Sequence, residues 1–290
     1  MPATLFGIKT RIWSLLRRGK SDTTFYYMGG GIGDELMLTA VAEEARNLGR
    51  PIAIATNLPE IWKDNPAPAQ LANRIERLQY ACSRKWLGNC ETKHLTTSNF
   101  SAVHLAQQAA DHLDIRLPNG WRPVIQFQKK AKSPKRIVIQ VSCRGARYSA
   151  DTKEWEIHRW ITLTNRLKGD FELVQLGTVK DPQIPGTFDL RGKTDLRSAA
   201  SWLSSSGLFL GLESGLMHVA AATRVPAVII YGGRTAPTLT GYPSHLHLTR
   251  TPTCAGCGLN SGCLNGRICL DIPVEEVENA VRRMVSANSC

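Results

Sequence analysis

Residues 208–233 read LFLGLESGLMHVAAATRVPAVIIYGG, and this stretch decides the fold. An apolar run over 208–212 ends in Glu213-Ser214-Gly215. A helical pattern follows, with Leu216, Val219, Ala220 and Thr223 at spacings of three and four. Pro226 stops it, and a second apolar run over 227–231 ends in Gly232-Gly233. Strand, tight turn, short helix and strand make a βαβ unit, which builds a parallel sheet. Ser214 is suited to cap the helix, and Gly215 leaves room for a ligand at the backbone. A helix N-terminus just beyond the carboxyl end of a parallel strand is where α/β proteins hold phosphate. The same residues also fit an ordinary capped turn, so the surrounding sequence has to decide.

Outward from this unit the alternation continues. A basic, proline-broken segment, QKKAKSPK at 128–135, reads as a connection between two halves. After it come a strand at 136–141, a helix at 156–168, a strand at 171–176 and a helix at 195–205. The unit at 208–233 is followed by a strand at 245–249 and a closing helix at 274–285. Before the connection, a β-rich strand at 23–28 runs into Gly29-Gly30-Gly31-Ile32-Gly33-Asp34 and a helix over 35–48. A short strand at 51–56 and helical patterns at 74–87 and 101–113 complete that half. Both halves are α/β, with turns that open onto a common cleft.

The glycine turn at Gly31 and Gly33 differs from a dinucleotide fingerprint, because Asp34 stands where its last glycine would be. A carboxylate there repels a pyrophosphate. Asp34 either caps its own helix or aims a carboxylate into the cleft. On the opposite half, the loop after the strand at 136–141 carries Arg144, Arg147 and Lys153, enough cation for a diphosphate. A solvated basic loop is the plainer reading of that segment.

The chain of 290 residues has 36 Lys+Arg against 24 Asp+Glu, a net charge of +12. Such a balance favours an anionic partner. With no helix-turn-helix, finger or RNA-binding aromatic motif, an anionic substrate or an acidic membrane face ranks ahead of nucleic acid. The residues at 4–20, TLFGIKTRIWSLLRRGK, place apolar and basic side chains on opposite faces. Such a helix, spanning 1–22, either lies in a membrane interface or packs on the protein's own surface. No apolar run nears the roughly 20 residues that span a bilayer, and no secretory signal is visible, so a cytoplasmic location, peripheral at the inner membrane, is expected. Eight cysteines in such a chain argue against a disulfide scaffold. Four of them, Cys254, Cys257, Cys263 and Cys269, fall within 16 residues rich in Gly and Asn. A structural Zn or Fe site, free thiols and disulfides all fit that spacing.

Four segments together carry a family resemblance. Gly-Ile-Gly-Asp-Glu-Leu-Met-Leu-Thr at 31–39, Lys-x-Trp at 153–155, Asp-Leu-Arg-Gly-Lys-Thr-Asp-Leu at 189–196 and Glu-Ser-Gly-Leu-Met-His-Val-Ala-Ala at 213–221 resemble glycosyltransferase family 9, the heptosyltransferases of bacterial lipopolysaccharide assembly. The resemblance covers about 24–48 and nearly everything after Arg136. It implies an α/β fold of the GT-B type, two Rossmann-like doubly wound domains facing a central cleft. The acceptor domain is then 23–130, and the nucleotide-sugar domain is 136–290 with the cysteine-rich loop 254–269. It further implies inverting sugar transfer without a catalytic metal, with heptose from ADP-heptose as the expected donor. A lipopolysaccharide precursor or a protein hydroxyl is the expected acceptor. On this chain Asp34 takes the general-base position and Lys153 the phosphate position, with Arg144 nearby. The amides of Ser214 and Gly215 take the diphosphate turn, and His218 orients that turn or the sugar. Glu213 replaces the family's usual Asp, and only Asp181 is available as the acidic residue after the next strand. The cysteine loop resembles one found in iron-binding, protein-heptosylating members. A second reading keeps the fold and donor site without turnover, prompted by Glu213 and a short N-terminal half.

Overall fold

The computed structural model describes residues 24–72, 92–98, 101–145 and 149–288. Their strands form two sheets in which every pairing is parallel. The first sheet has the order β3-β2-β1-β4, from β1 Phe25–Tyr27, β2 Ala53–Ile54, β3 Gln70–Leu71 and β4 Thr92–His94. The second has the order β10-β9-β8-β5-β6-β7. Its strands are β5 Ser133–Ile139, β6 Glu172–Gln175, β7 Phe188–Asp189, β8 Ser206–Leu212, β9 Ala227–Tyr231 and β10 His245–Thr249. Strands β6 and β7 step one way from β5, and β9 and β10 step the other way from β8, so the order in which strands are added reverses between β5 and β8. This is the doubly wound order, and its crevice opens between β5 and β8.

The central strands are apolar without alternation because helices cover both faces. All seven residues of β8 and all five of β9 are buried. Outside them, α4 (Ile157–Leu167) buries Trp160, Leu163, Thr164 and Leu167, the single stripe of an amphipathic helix. Trp160 meets Trp155 edge to face at 5.1 Å. The two lobes join along α1 (Ile32–Asn47) and α6 (Gly215–Thr223). One apolar cluster continues from Leu36, Leu38 and Val41 on α1 through Met217 and Val219 on α6 to Phe209 in β8. An ion pair between Arg197 and Asp64, 2.8 Å, also crosses from one lobe to the other.

Most elements expected from periodicity are present, with ends moved by a few residues. The helix expected over 101–113 contracts to α3 (Leu105–Asp111), because the His104 Nδ1 accepts the Ala106 amide at 3.1 Å and fixes its start. Strand β5 begins earlier than expected, since the Ser133 amide donates to the Ser205 carbonyl at 2.7 Å. That bond draws the end of the segment read as a connection into the sheet. Strands β3, β4 and β7 were not legible; runs of two or three residues show no periodicity. The single-turn helices α2 (Pro59–Trp62) and α7 (Pro237–Thr240) escaped for the same reason. The basic helix expected over 1–22 and the helix expected over 74–87 lie outside the described residues.

Candidate active site

Asp34 is the third residue of α1, and its Oδ2 accepts the amides of Gly30 (3.2 Å) and Gly31 (3.1 Å). The turn that makes this possible needs glycine at 29. Gly29 has φ +54°, and a Cβ there would lie 2.0 Å from the Asp34 carboxylate. Asp34 therefore caps its helix, in a turn that stands opposite the other lobe. Burial raises its pKa above the ordinary carboxylate value, against the two amides, and the negative Glu213 of the opposite lobe pushes the same way while Lys153 opposes it. Beside it, Glu35 is buried and accepts the Trp62 indole N–H at 2.8 Å.

The opposite wall is the crevice between β5 and β8. Glu213, at the end of β8, is buried and ion-paired with Lys153, which stands in a 3₁₀ turn at Asp151–Lys153. Burial alone would raise the Glu213 carboxyl. The Lys153 ammonium reverses this, helped by the Arg234 guanidinium, so the group is held below its usual range. Ser214 stands at the N-cap of α6 without acting as a cap. Its hydroxyl donates instead to the Gln140 Oε1 at the end of β5. The expected cap is corrected by the switch point itself, which sets the Gln140 carboxamide oxygen beside Ser214 and turns its hydroxyl toward β5 rather than toward the amides of its own helix.

Gly215 also differs from expectation. A Cβ at this position would meet the Ile32 side chain at 2.9 Å, so its open space receives the opposite lobe rather than a ligand. Gly33 is the reciprocal case: its Cβ would lie 2.8 Å from the His218 ring. His218 is 2 % exposed and its Nδ1 shares a 2.7 Å hydrogen bond with the Tyr242 hydroxyl. Burial brings its pKa down to about 3. It is a neutral imidazole clamped where the lobes touch.

The remaining expected residues are dispersed. Arg144 is 63 % exposed at its side chain, with its Nε 3.8 Å from Glu154, and so stands on the rim. Arg147 lies outside the described residues. Asp181 is occupied: its carboxylate accepts the amides of Thr178 at 2.6 Å and Gly145 at 3.3 Å, and so ties two loops together. Of the three readings open for the cysteine loop, the structure has free thiols. Cys254, Cys257, Cys263 and Cys269 are all free thiols, and no group of three or more His, Cys, Asp or Glu among the described residues is placed to hold a metal ion. Cys269 is buried against Gly233 while Cys257 faces solvent. Gln140, Arg234 and Tyr242 were missed in the sequence. Arg234 was within reach, since it follows the glycine pair that ends β9.

The buried histidines carry a pH signature. In an unfolded chain an imidazole takes up its proton near pH 6.5. In the fold, burial lowers His218 and His245 to about 3 and His104 to about 4. The unfolded state thus binds more protons throughout that window. Stability from these groups is complete above about pH 6.5 and falls as acid is added. Urea denaturation between about pH 7 and about pH 4.5 should show this decline, and His218→Gln should make it shallower. A flat profile would contradict the burial of these rings.

Two lobes built on all-parallel sheets and packed along α1 and α6 have the architecture of a glycosyltransferase of the GT-B type. The model of glycosyltransferase family 9 (heptosyltransferase) matches residues 100–256, more than half of the chain, and the chain belongs to that family. No curated protein sequence matches. Among solved structures, the chain is similar to the iron-containing dodecameric glycosyltransferase TibC from enterotoxigenic E. coli H10407, at TM-score 0.71 and 16% identity over 91% of this chain and 76% of that one. It is similar to the family 9 glycosyltransferase of Veillonella parvula at TM-score 0.68 and 14% identity, over 92% of this chain and 98% of that one. The E. coli heptosyltransferase WaaC with ADP follows at TM-score 0.61 and 14% identity, over 92% and 100%. At these identities the likeness establishes the fold. Among the described residues no helix is long and apolar enough to cross a membrane.

Proposed function

We propose that this glycosyltransferase moves a sugar, with inversion, from a nucleoside-diphospho-sugar to an acceptor hydroxyl, and that the donor is ADP-heptose. The observation that carries the reading is the packing of the first turn of α1, which bears Asp34, against the first turn of α6, which follows the Lys153–Glu213 pair, close enough that the charges of Glu213 and Lys153 act on Asp34. Asp34 acts as general base. Its surroundings favour the protonated form, which strengthens it as an acceptor for the hydroxyl proton while the anomeric carbon is attacked from the far face. Lys153 and the first amides of α6, at Ser214 and Gly215, neutralise the departing diphosphate. Those amides have no carbonyl partner within their helix, and the helix dipole adds to them. Gly31 and Gly33 shape the turn that aims Asp34, His218 holds the lobes in register, and Arg144 draws the anion to the rim. The donor identity is supported by family membership and by the ADP in WaaC and the ADP-D-beta-D-heptose in a TibC complex.

The acceptor half is taken as 23–130 and the donor half as 136–290. The acceptor is a hydroxyl of a lipopolysaccharide precursor or of a protein. A net charge of +12 and the basic segment at 4–20 favour contact with an anionic membrane surface. ADP-heptose should raise the melting temperature more than UDP- or GDP-sugars do, because a ligand of the folded state stabilises by mass action. Free ADP should then appear only when a competent acceptor is added, with lipid-linked and protein acceptors as separate arms. A chain that is stabilised by ADP-heptose yet releases no ADP with either acceptor would be a binding protein rather than a transferase.

A further inference from the structure

The cysteine-bearing loop at 254–269 has no part in the transfer just described, yet it is bonded to both turns of the donor wall. The Gly256 amide donates to the Gly233 carbonyl at 2.5 Å and the Gly258 amide to the Arg234 carbonyl at 3.3 Å. The Thr152 hydroxyl, next to Lys153, donates to the Leu259 carbonyl at 2.5 Å. Arg267 reaches the carbonyls of Asp151 and Glu154 at 3.4 and 3.5 Å. Most telling is Asn260, whose Oδ1 accepts Arg234 Nε at 2.9 Å, while Arg234 Nη1 donates to the Thr235 hydroxyl at 3.2 Å.

Charge balance singles out Arg234. Lys153 already has the Glu213 carboxylate, and Arg144 is exposed and faces Glu154. A diphosphate brings at least two negative charges, so one cation shared with an acid leaves it under-neutralised. Arg234 is half-buried, and among the described residues it meets no acid within ion-pair distance; its two side-chain partners are neutral oxygens. The pairing of Leu212 with Ile230 sets the ends of β8 and β9 side by side, so Arg234 follows its strand onto the rim that bears Glu213 and Ser214. Arg234 contributes to holding Glu213 ionised. A guanidinium fork fixed by neutral partners keeps donors for phosphate oxygens and loses little side-chain entropy when it binds them.

We propose that Arg234 binds the diphosphate of the nucleotide-sugar donor, and that Asn260, in the cysteine-bearing loop, is the positioning residue that aims it. This rests on the donor reading given above. The test is calorimetric titration of ADP and AMP into the full chain and its variants. Arg234→Gln should weaken ADP by about 10-fold or more, the scale of a lost hydrogen bond to a charged group, and AMP by less. Arg234→Lys should recover part of the loss, because it keeps the charge without the fork. Asn260→Ala should weaken ADP in the native background and have no further effect in Arg234→Gln, since the two act as one unit. Unchanged ADP affinity in both Arg234 variants would overturn the inference and leave the donor reading standing. Equal losses from Asn260→Ala in both backgrounds would overturn the positioning role. Failure of the unaltered chain to bind ADP would bring down the donor reading and this inference with it.

Discussion

Asp34→Asn should lower turnover by roughly 10²–10⁴-fold, the worth of a positioned general base, while leaving ADP affinity unchanged. The separation is clean because of how the side chain is held. An Asn amide oxygen can still accept the Gly30 and Gly31 amides, so the N-terminal turn of α1 stays capped and the lobe keeps its shape. What disappears is the capacity to take a proton. Asp34→Ala would add loss of the cap, about 1 kcal/mol, and so confuse chemistry with folding. The rate of the native enzyme should fall on the acid side as Asp34 protonates, at a pH above that of an ordinary Asp, since burial raises its pKa. Full turnover in Asp34→Asn, measured as acceptor-dependent ADP release, would remove the base from this position.

Lys153→Ala should damage stability and donor binding at once, and the two losses can be told apart. Side-chain exposures of 14% for Lys153 and 9% for Glu213 put the pair largely out of water. Removing the ammonium leaves a buried carboxylate uncompensated, a change that typically costs 3–5 kcal/mol. Glu213→Gln in the same chain removes the stranded charge and should return most of the lost stability in chemical denaturation. It cannot return the cation, so ADP affinity in the double variant should stay at least about tenfold below native. Recovery of affinity together with stability would show that Lys153 serves the fold alone. Native ADP affinity in Lys153→Ala would remove it from the phosphate site directly.

Both experiments touch residues that the sequence could propose but not place. The run 208–233 was readable because its strands are buried on both faces and so apolar throughout, while its helix is short and bounded by Ser214 and Pro226. The order Glu-Ser-Gly-x-x-His marked one of the two turns that pack against each other between the lobes, and Gly-x-Gly-Asp the other. Legibility stopped where a residue's role depends on a partner far away in the chain. Ser214 looked like a cap until Gln140, 74 positions earlier, was seen to take its hydroxyl. Gly215 looked like room for a ligand, but the Ile32 side chain of the other lobe fills that space. Asp181 looked free until two loops were found bonded to it. Four cysteines fitted a metal site, free thiols and disulfides alike, because spacing says nothing about where each sulfur points.

The amino-acid sequence by itself determined the alternating α/β architecture, the two glycine-bearing turns and the acid and base types available at each, because hydrophobic period and turn chemistry act over a few residues. Only the tertiary structure decided which lone pairs and charges are already spent. Lys153 is satisfied by Glu213, Ser214 by Gln140 and His218 by Tyr242, whereas Arg234 is held by neutral oxygens and keeps its charge. Hydrogen bonds and ion pairs form between whatever groups the fold brings within about 3 Å, and sequence separation has no bearing on that distance.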